Sequence, residues 1–338
     1  MKDKDIFILG IETSCDETSA GIVKNGREML SNSIFSQIEI HQPYGGVVPE
    51  VASRNHIKQL DQIVHLAFKE AHLSFEDIHG IAVTVGPGLI GSLLVGLSYA
   101  KAVAYSLPKK LLAINHIDGH ICANYIDNDP LEPPFITLVA SGGHTNLIYV
   151  ESYGRYEVLG QTRDDAAGEA FDKISRSLGL GYPGGPAIDK AARRGDPNHI
   201  MFPRAYLEEN SYDFSFSGLK SAVLNYINTC QMKDIPINTD HIAASFQEAV
   251  VEVLVHKTIK AAITMNISTI CLSGGVARNS RLRSSIKEHA RENHLDLYYP
   301  QPDLCSDNAA MIASAGYFKY INEDYAPFDI NAKSNLKV

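Results

Sequence analysis

The chain contains no tryptophan and only five cysteines among 338 residues. Cys15, Cys122, Cys230, Cys271 and Cys305 are odd in number and scattered, with no CxxC pair. That excludes a disulfide scaffold and a thiolate zinc finger, and it favours a reducing compartment. Long apolar runs are missing as well. The run from Ile6 to Ile11 is shorter than the roughly 7–15 residues of a signal peptide's apolar region. No stretch approaches the ~20 apolar residues of a membrane span, so the expected setting is cytoplasmic, with no membrane partner. Positive charge is scarce: 30 Lys and Arg stand against 39 Asp and Glu, a net charge of −9. A free-standing nucleic-acid binder held by overall charge is thereby excluded. Contact with nucleic acid would need a partner or a local basic patch, such as Lys190 to Arg194 or Arg278 to Arg283. A hydrophobic share of 45% excludes a long disordered chain.

What is present is a repeat of pattern. Ile6 to Ile11 and Ala20 to Val23 are apolar runs around the polar turn Glu12 to Ser19. Phe135 to Ala140 and Asn146 to Val150 flank Ser141-Gly-Gly-His-Thr145 in the same way. Each pair reads as strand, turn, strand. Later in each half an apolar strand runs through a glycine turn into a helix. These are Ile81 to Val85 with Gly86-Pro-Gly88, and Ile267 to Leu272 with Ser273-Gly-Gly275. A repeat of supersecondary structure implies two α/β lobes with a cleft between them. The expected lobes are 1–134 and 135–338, the second with an insertion around 151–238. Two amphipathic helices follow the 3.6-residue period. One is expected to be capped by Ser53, with Ile57, Leu60, Val64, Ala67 and Ala71 facing the core. The other is expected to be capped by Thr239 or Asp240, with Ile242, Phe246, Val250, Val253 and Leu254 inward. Glycine turns after strands expose successive N–H groups and can hold an anion such as phosphate.

Four residues separate His116 from His120, which places both imidazoles on one face of a helix and suits two ligands of one ion. No glutamate follows the first histidine, so the zincin pattern is absent. Asp307 is the leading third ligand; the alternative is that it caps the small-residue helix Ala309 to Gly316. Two histidines and one carboxylate fit Fe(II), or Zn(II) with an open position. Asp172 and Asp189 are candidates to accept hydrogen bonds from ligand hydroxyls, and Asn279 to face an adenine or ribose. Lys220 is a candidate phosphate partner.

Ten motifs in order carry a resemblance. They are Glu12-Thr-Ser-Cys-Asp-Glu-Thr18, Tyr44 to Glu50 with Ala52-Ser-Arg54, Gly86-Pro-Gly-Leu89, Asn115 to His120, and Ser141 to Thr145. Ala170-Phe-Asp-Lys173, Tyr182 to Pro186, Phe216 to Lys220, Ser273 to Asn279 and Cys305 to Asn308 complete the set. The sequence resembles the tRNA threonylcarbamoyltransferase family in its bacterial TsaD form, from about Ile6 to Ala315. The resemblance implies an actin-like, Hsp70-like and sugar-kinase-like (ASKHA) two-lobed fold. It implies transfer of threonylcarbamoyl from threonylcarbamoyl-AMP to N6 of the adenosine 3′ of the anticodon, with release of AMP. One divalent ion per subunit, Fe(2+) before Zn(2+), would be held by His116, His120 and Asp307. Val139, Ala140, Ser141, Gly142, Gly143, Asp172, Gly185, Asp189 and Asn279 match donor-binding positions. Asp16, in the N-terminal turn, is the candidate general base. A paralogous partner (TsaB) and a small ATPase (TsaE) are implied beside tRNA. The competing readings are a small-molecule kinase or ATPase of the same fold, and, less well supported, a metalloprotease.

Overall fold

In the computed structural model, residues 5–128, 130–208 and 210–337 are described; residues 1–4 and 338, the extremes of the two expected lobes, lie outside them. The chain forms two compact units, 1–132 with 300–338, and 133–299.

The first unit begins with β1 (Phe7–Glu12), β2 (Glu17–Lys24) and β3 (Glu28–Ser36), an antiparallel meander. Then come α1 (Ile38–His41), α2 (Pro49–Ala71), β4 (Gly80–Gly86), α3 (Ile90–Ser106), β5 (Lys110–Asn115) and α4 (His116–Cys122). β4 pairs parallel with β1 and with β5, giving the order β3-β2-β1-β4-β5. β1 and β4 are buried almost from end to end because both faces of the sheet are covered, and their residues are apolar apart from Glu12 and Thr84. Leu9, Ile11 and Ile22 pack with Leu60, Val64 and Phe68 of α2 and with Leu97 and Ala100 of α3.

The second unit repeats the plan. β6 (Phe135–Ala140), β7 (Thr145–Ser152) and β8 (Arg155–Gln161) form the meander, followed by α5 (Ala167–Ser177), α6 (Gly184–Ala192), α7 (Ser217–Met232) and α8 (Thr239–Thr264). β9 (Thr269–Ser273), α9 (Ser280–Glu292) and β10 (Asp296–Tyr298) complete it, and the sheet order is β10-β9-β6-β7-β8. The chain then rejoins the first unit with α10 (Pro302–Cys305) and α11 (Ala309–Ile321).

Several expectations are corrected. Residues 300–338 belong with the first unit, because α11 fits only against its sheet. A Cβ on Gly10 of β1 would stand 2.1 Å from the Ala309 carbonyl oxygen, and one on Gly316 would stand 2.5 Å from Ala82 Cβ. Glycine at both positions lets helix and sheet approach closely. The insertion starts later than 151, since β8 is the third strand of the repeated meander; α5 to α7 are the added elements. Ser53 lies inside α2, which starts at Pro49, and its hydroxyl donates to the Pro49 carbonyl. Ile57 on that helix is exposed. Asn238 caps α8, accepting from the N–H groups of Asp240 and His241.

The segment after α11 straps the ends of β4 and β5. Ala326 N–H donates to Leu111 O, Lys333 N–H to Val85 O, and Gly88 N–H to Ser334 O. The Asn115 amide donates to Lys337 O at 2.9 Å.

Candidate active site

β5 turns into α4 at Asn115, whose side chain accepts from the Ile117 N–H at 2.9 Å and so caps the helix. Starting the helix at His116 sets His116 and His120 one turn apart on one face, with ring centroids 4.7 Å apart. Asp307 comes from the far end of the chain. Asn308, and not Asp307, caps α11 by accepting from Met311 N–H at 3.0 Å, which leaves the Asp307 carboxylate for the histidines. Its Oδ1 lies 3.4 Å from His116 Nε2 and 3.2 Å from His120 Nε2.

The chemistry of this set suits a metal ion. Ligand atoms bound at ~2.0–2.2 Å around one ion stand about 3–3.5 Å from one another. The three residues offer ligand atoms that all lie within 4.8 Å of each other. His120 is fully buried and neither ring nitrogen makes a hydrogen bond among the described residues. A buried polar atom without a partner is costly, and ligation supplies one. Behind His116 stands Glu12, also fully buried. One Glu12 oxygen takes the Ser14 N–H at 2.5 Å; the other takes the Thr84 hydroxyl at 2.7 Å and His116 Nδ1 at 3.0 Å. This carboxylate–histidine pair engages Nδ1 and turns Nε2 toward Asp307, the usual support of a metal-ligating imidazole.

The acids that would attract a cation also attract a proton to the ring. Burial works against a charge on His116, but the Asp307 and Glu12 carboxylates outweigh it and hold its pKa well above the ordinary value. Burial likewise opposes the Asp307 charge, yet His116 and His120 hold that carboxyl well below the usual range. Burial lowers the pKa of His120. Asp16 is buried in the turn between β1 and β2. Glu17 beside it is pushed well up by burial, then by the charges of Asp16 and Asp307. The turn is thus rich in negative charge, which favours a cation.

In the second unit β6 ends at Val139 and Ala140, both buried, and opens into Ser141-Gly142-Gly143. Ser141 is locked: its N–H donates to His144 O, its carbonyl accepts from Gly168 N–H, and its hydroxyl accepts from His144 N–H. Gly142 and Gly143 are exposed, and a Cβ on either would meet nothing within 4 Å. Gly274, at φ +86°, backs onto the same strand end, where a Cβ would stand 2.3 Å from Ala140 O. Asp172 accepts from Gly184 N–H at 2.6 Å, fixing the start of α6, while Gly185 beside it faces open space. Asp189 accepts from the Ser280 hydroxyl at 2.7 Å and from Arg193 at 2.9 Å. Asn279 caps α9 and donates to Gln247 Oε1 at 2.7 Å. Asp172, Asp189 and Asn279 therefore order the helix ends around the two glycine turns. Lys220 donates to Asp165 at 2.5 Å. In the basic stretches, Arg193, Arg194 and Arg281 are paired with Asp189, Asp240 and Glu248, whereas Lys190 and Arg278 are exposed with no ion pair among the described residues.

Residues 28–314 match the family described as tRNA N6-adenosine threonylcarbamoyltransferase, TsaD. The chain belongs to that family. It is 59% identical over 334 residues to the tRNA N6-adenosine threonylcarbamoyltransferase of Clostridioides difficile (strain 630), covering 99% of each chain. To the protein of the same name from Desulfitobacterium hafniense (strain Y51) it is 56% identical over 338 residues, covering 100% of this chain and 99% of the relative. Among solved structures, T. kodakarensis HypF matches with a TM-score of 0.64 at 16% identity, over 94% of this chain and 48% of that one. Component A of the Acidaminococcus fermentans (R)-2-hydroxyglutaryl-CoA dehydratase matches with a TM-score of 0.54 at 15% identity, over 94% and 99%. The fold is the two-sheet α/β fold of the actin-like, ASKHA type. TsaD chains are transferases of tRNA modification, and the metalloprotease and small-molecule kinase readings lapse with that membership. Among the described residues no helix is long and apolar enough to cross a membrane.

Sequence reasoning left Glu12 without a role. Its signal was an acid closing an apolar run, since a charge at the end of a buried strand must be paired.

Proposed function

We propose that this chain transfers the threonylcarbamoyl group of threonylcarbamoyl-AMP to N6 of the adenosine 3′ of the anticodon, in tRNAs that read codons beginning with A. The observation that carries the reading is the convergence of His116 and His120 on Asp307, with Glu12 fixing the ring behind. His116, His120 and Asp307 would hold one divalent ion, Fe(2+) before Zn(2+), and it would supply Lewis-acid polarisation of an oxygen of the donor. Val139 to Gly143 with Gly185 receive the donor's anionic groups, since the N–H groups of Gly142 and Gly143 have no partner among the described residues. Asp172, Asp189 and Asn279 keep the neighbouring helix ends in place for it. N6 attacks the carbamoyl carbon, the C–O bond to the phosphate breaks, and AMP leaves with the bonding pair. Asp16 takes the N6 proton. The adenosine must be presented unstacked for N6 to reach the donor.

With a net charge of −9, the chain needs help on tRNA. A paralogous subunit (TsaB) and a small ATPase (TsaE) are the partners this reading calls for, in the cytoplasm where tRNA is modified. The test incubates the chain and these partners with labelled threonine, bicarbonate, ATP, the separate synthase and unmodified tRNA. Label in the tRNA that disappears with His120→Ala is the expected result. Undiminished labelling by that variant would remove the metal site from the reaction, and no labelling by the wild type would overturn the reading itself.

A further inference from the structure

α2 carries a fully buried histidine, His56, which has no part in the chemistry above. Its Nε2 lies 2.9 Å from the Cys15 carbonyl oxygen and its Nδ1 lies 2.8 Å from Thr18 Oγ1. A carbonyl only accepts, so Nε2 bears the proton and Nδ1 accepts from the Thr18 hydroxyl. Burial lowers the pKa of this ring, which favours the same neutral form. One side chain of α2 thus grips the β1–β2 turn at two points.

That turn is held by other elements too. Thr13 Oγ1 donates to Ser92 O at 2.8 Å, and Leu89 N–H donates to Ser14 O at 2.8 Å. Gln37 N–H donates to Asp16 O at 3.1 Å. Each carbonyl from Ser14 to Asp16 accepts one hydrogen bond, from three different parts of the unit. Among the described residues, only the bond to Cys15 comes from a side chain. Cys15 lies between Asp16 and Ser14, whose Oγ is 3.2 Å from His116 Nδ1. A shift of the Cys15 carbonyl would move both neighbours.

We infer that His56 is a positioning residue for the transfer reaction, acting through the bond from Nε2–H to the Cys15 carbonyl, which fixes the turn presenting Ser14 to His116 and Asp16 to the acidic cluster. The inference rests on the transferase reading and on no substrate contact by His56.

Two amides separate the two bonds. A glutamine at position 56 brings its amide nitrogen to the place of Nε2, and an asparagine brings its own to the place of Nδ1. His56→Gln is expected to keep kcat within about threefold of wild type. His56→Asn and His56→Phe are expected to lose kcat about tenfold or more, as positioning contacts behind active groups do, with KM for tRNA and bound metal unchanged. A folded His56→Asn protein as active as His56→Gln would overturn the inference. Because these variants test a buried site, the wild type supplies a second readout. Nitrogen-15 NMR of labelled histidine should show His56 protonated at Nε2 and bare at Nδ1; the opposite tautomer would overturn the inference without any variant having to fold. A wild type that fails to modify tRNA would instead refute the transferase reading and leave the tautomer result standing.

Discussion

Exchanging Glu12 for glutamine removes one charge and keeps the shape, and the geometry dictates how His116 must respond. The carboxylate accepts three hydrogen bonds, from Ser14 N–H, the Thr84 hydroxyl and His116 Nδ1. Because a carboxylate only accepts, Nδ1 keeps its proton, and Nε2 is the nitrogen that gives up its proton and ligates when an ion binds. A glutamine must keep its oxygen on the obligate Ser14 N–H donor. Its NH2 then faces Nδ1, and two donors meet. The ring is relieved by moving its proton to Nε2, and a protonated Nε2 cannot ligate. Loss of such a supporting carboxylate typically weakens metal binding about 10–100-fold, or about 1.4–2.7 kcal/mol. The assay strips the protein of metal and titrates Zn(2+) against a chromophoric chelator at fixed pH, beside thermal melts of the metal-free proteins. Glu12→Gln should bind about 10–100-fold more weakly while remaining folded. A folded Glu12→Gln protein with affinity within about twofold of wild type would refute the argument that this contact selects the ligating tautomer.

Asp307→Ala should strip bound metal while the chain stays folded, as elemental analysis beside circular dichroism will show. Gly142→Val and Gly143→Val should each change stability by no more than about 0.5 kcal/mol, because no protein atom lies near the added carbon. Both should weaken binding of a stable threonylcarbamoyl-AMP analogue in calorimetric titration; unchanged affinity would place the donor elsewhere. Gly10→Ala, by contrast, drives a methyl into the Ala309 carbonyl and should cost roughly 1–3 kcal/mol in urea unfolding. Burial opposes the Asp165 charge, but bonds to Lys173 and Lys220 prevail and hold its pKa below the ordinary value. Its stabilising contribution is present above about pH 3.9 and is lost as pH falls through the folded pKa. Asp165→Asn should therefore flatten the loss of stability below about pH 4, measured as urea midpoints across that range.

The strands buried on both faces were legible because apolar residues fill most of each run, as in β1, β4, β6 and β9. β3 and β8 were not, since each is an edge strand whose residues alternate irregularly between exposed and buried. The helical spacing of His116 and His120 was legible from period alone. That Asp307 closes the set depends on α11 lying against the first sheet, which no local pattern encodes. Neighbouring polar residues blurred the caps: Asn238 precedes Thr239 and Asp240, and Asn308 follows Asp307, and backbone geometry chose between them. Asp189 and Asn279 were legible as polar residues beside glycine turns. Their partners Ser280 and Gln247 come from packing of α6, α8 and α9, which sequence does not display.

The return of α11 to the first sheet has a consequence for the order of events on the ribosome. Domains generally fold as units while the chain emerges from its N-terminal end. The second unit is one continuous stretch, 133–299, and is fully translated before α11 exists. Until then the face of β1 that carries Ile8 and Gly10 has no cover. Asp307 belongs to the same late segment. A nascent chain that already displays His116 and His120 therefore offers an ion two ligands and no carboxylate from Asp307. Loading of metal into the three-residue set would then be an event of chain completion, after the second unit has had the chance to form.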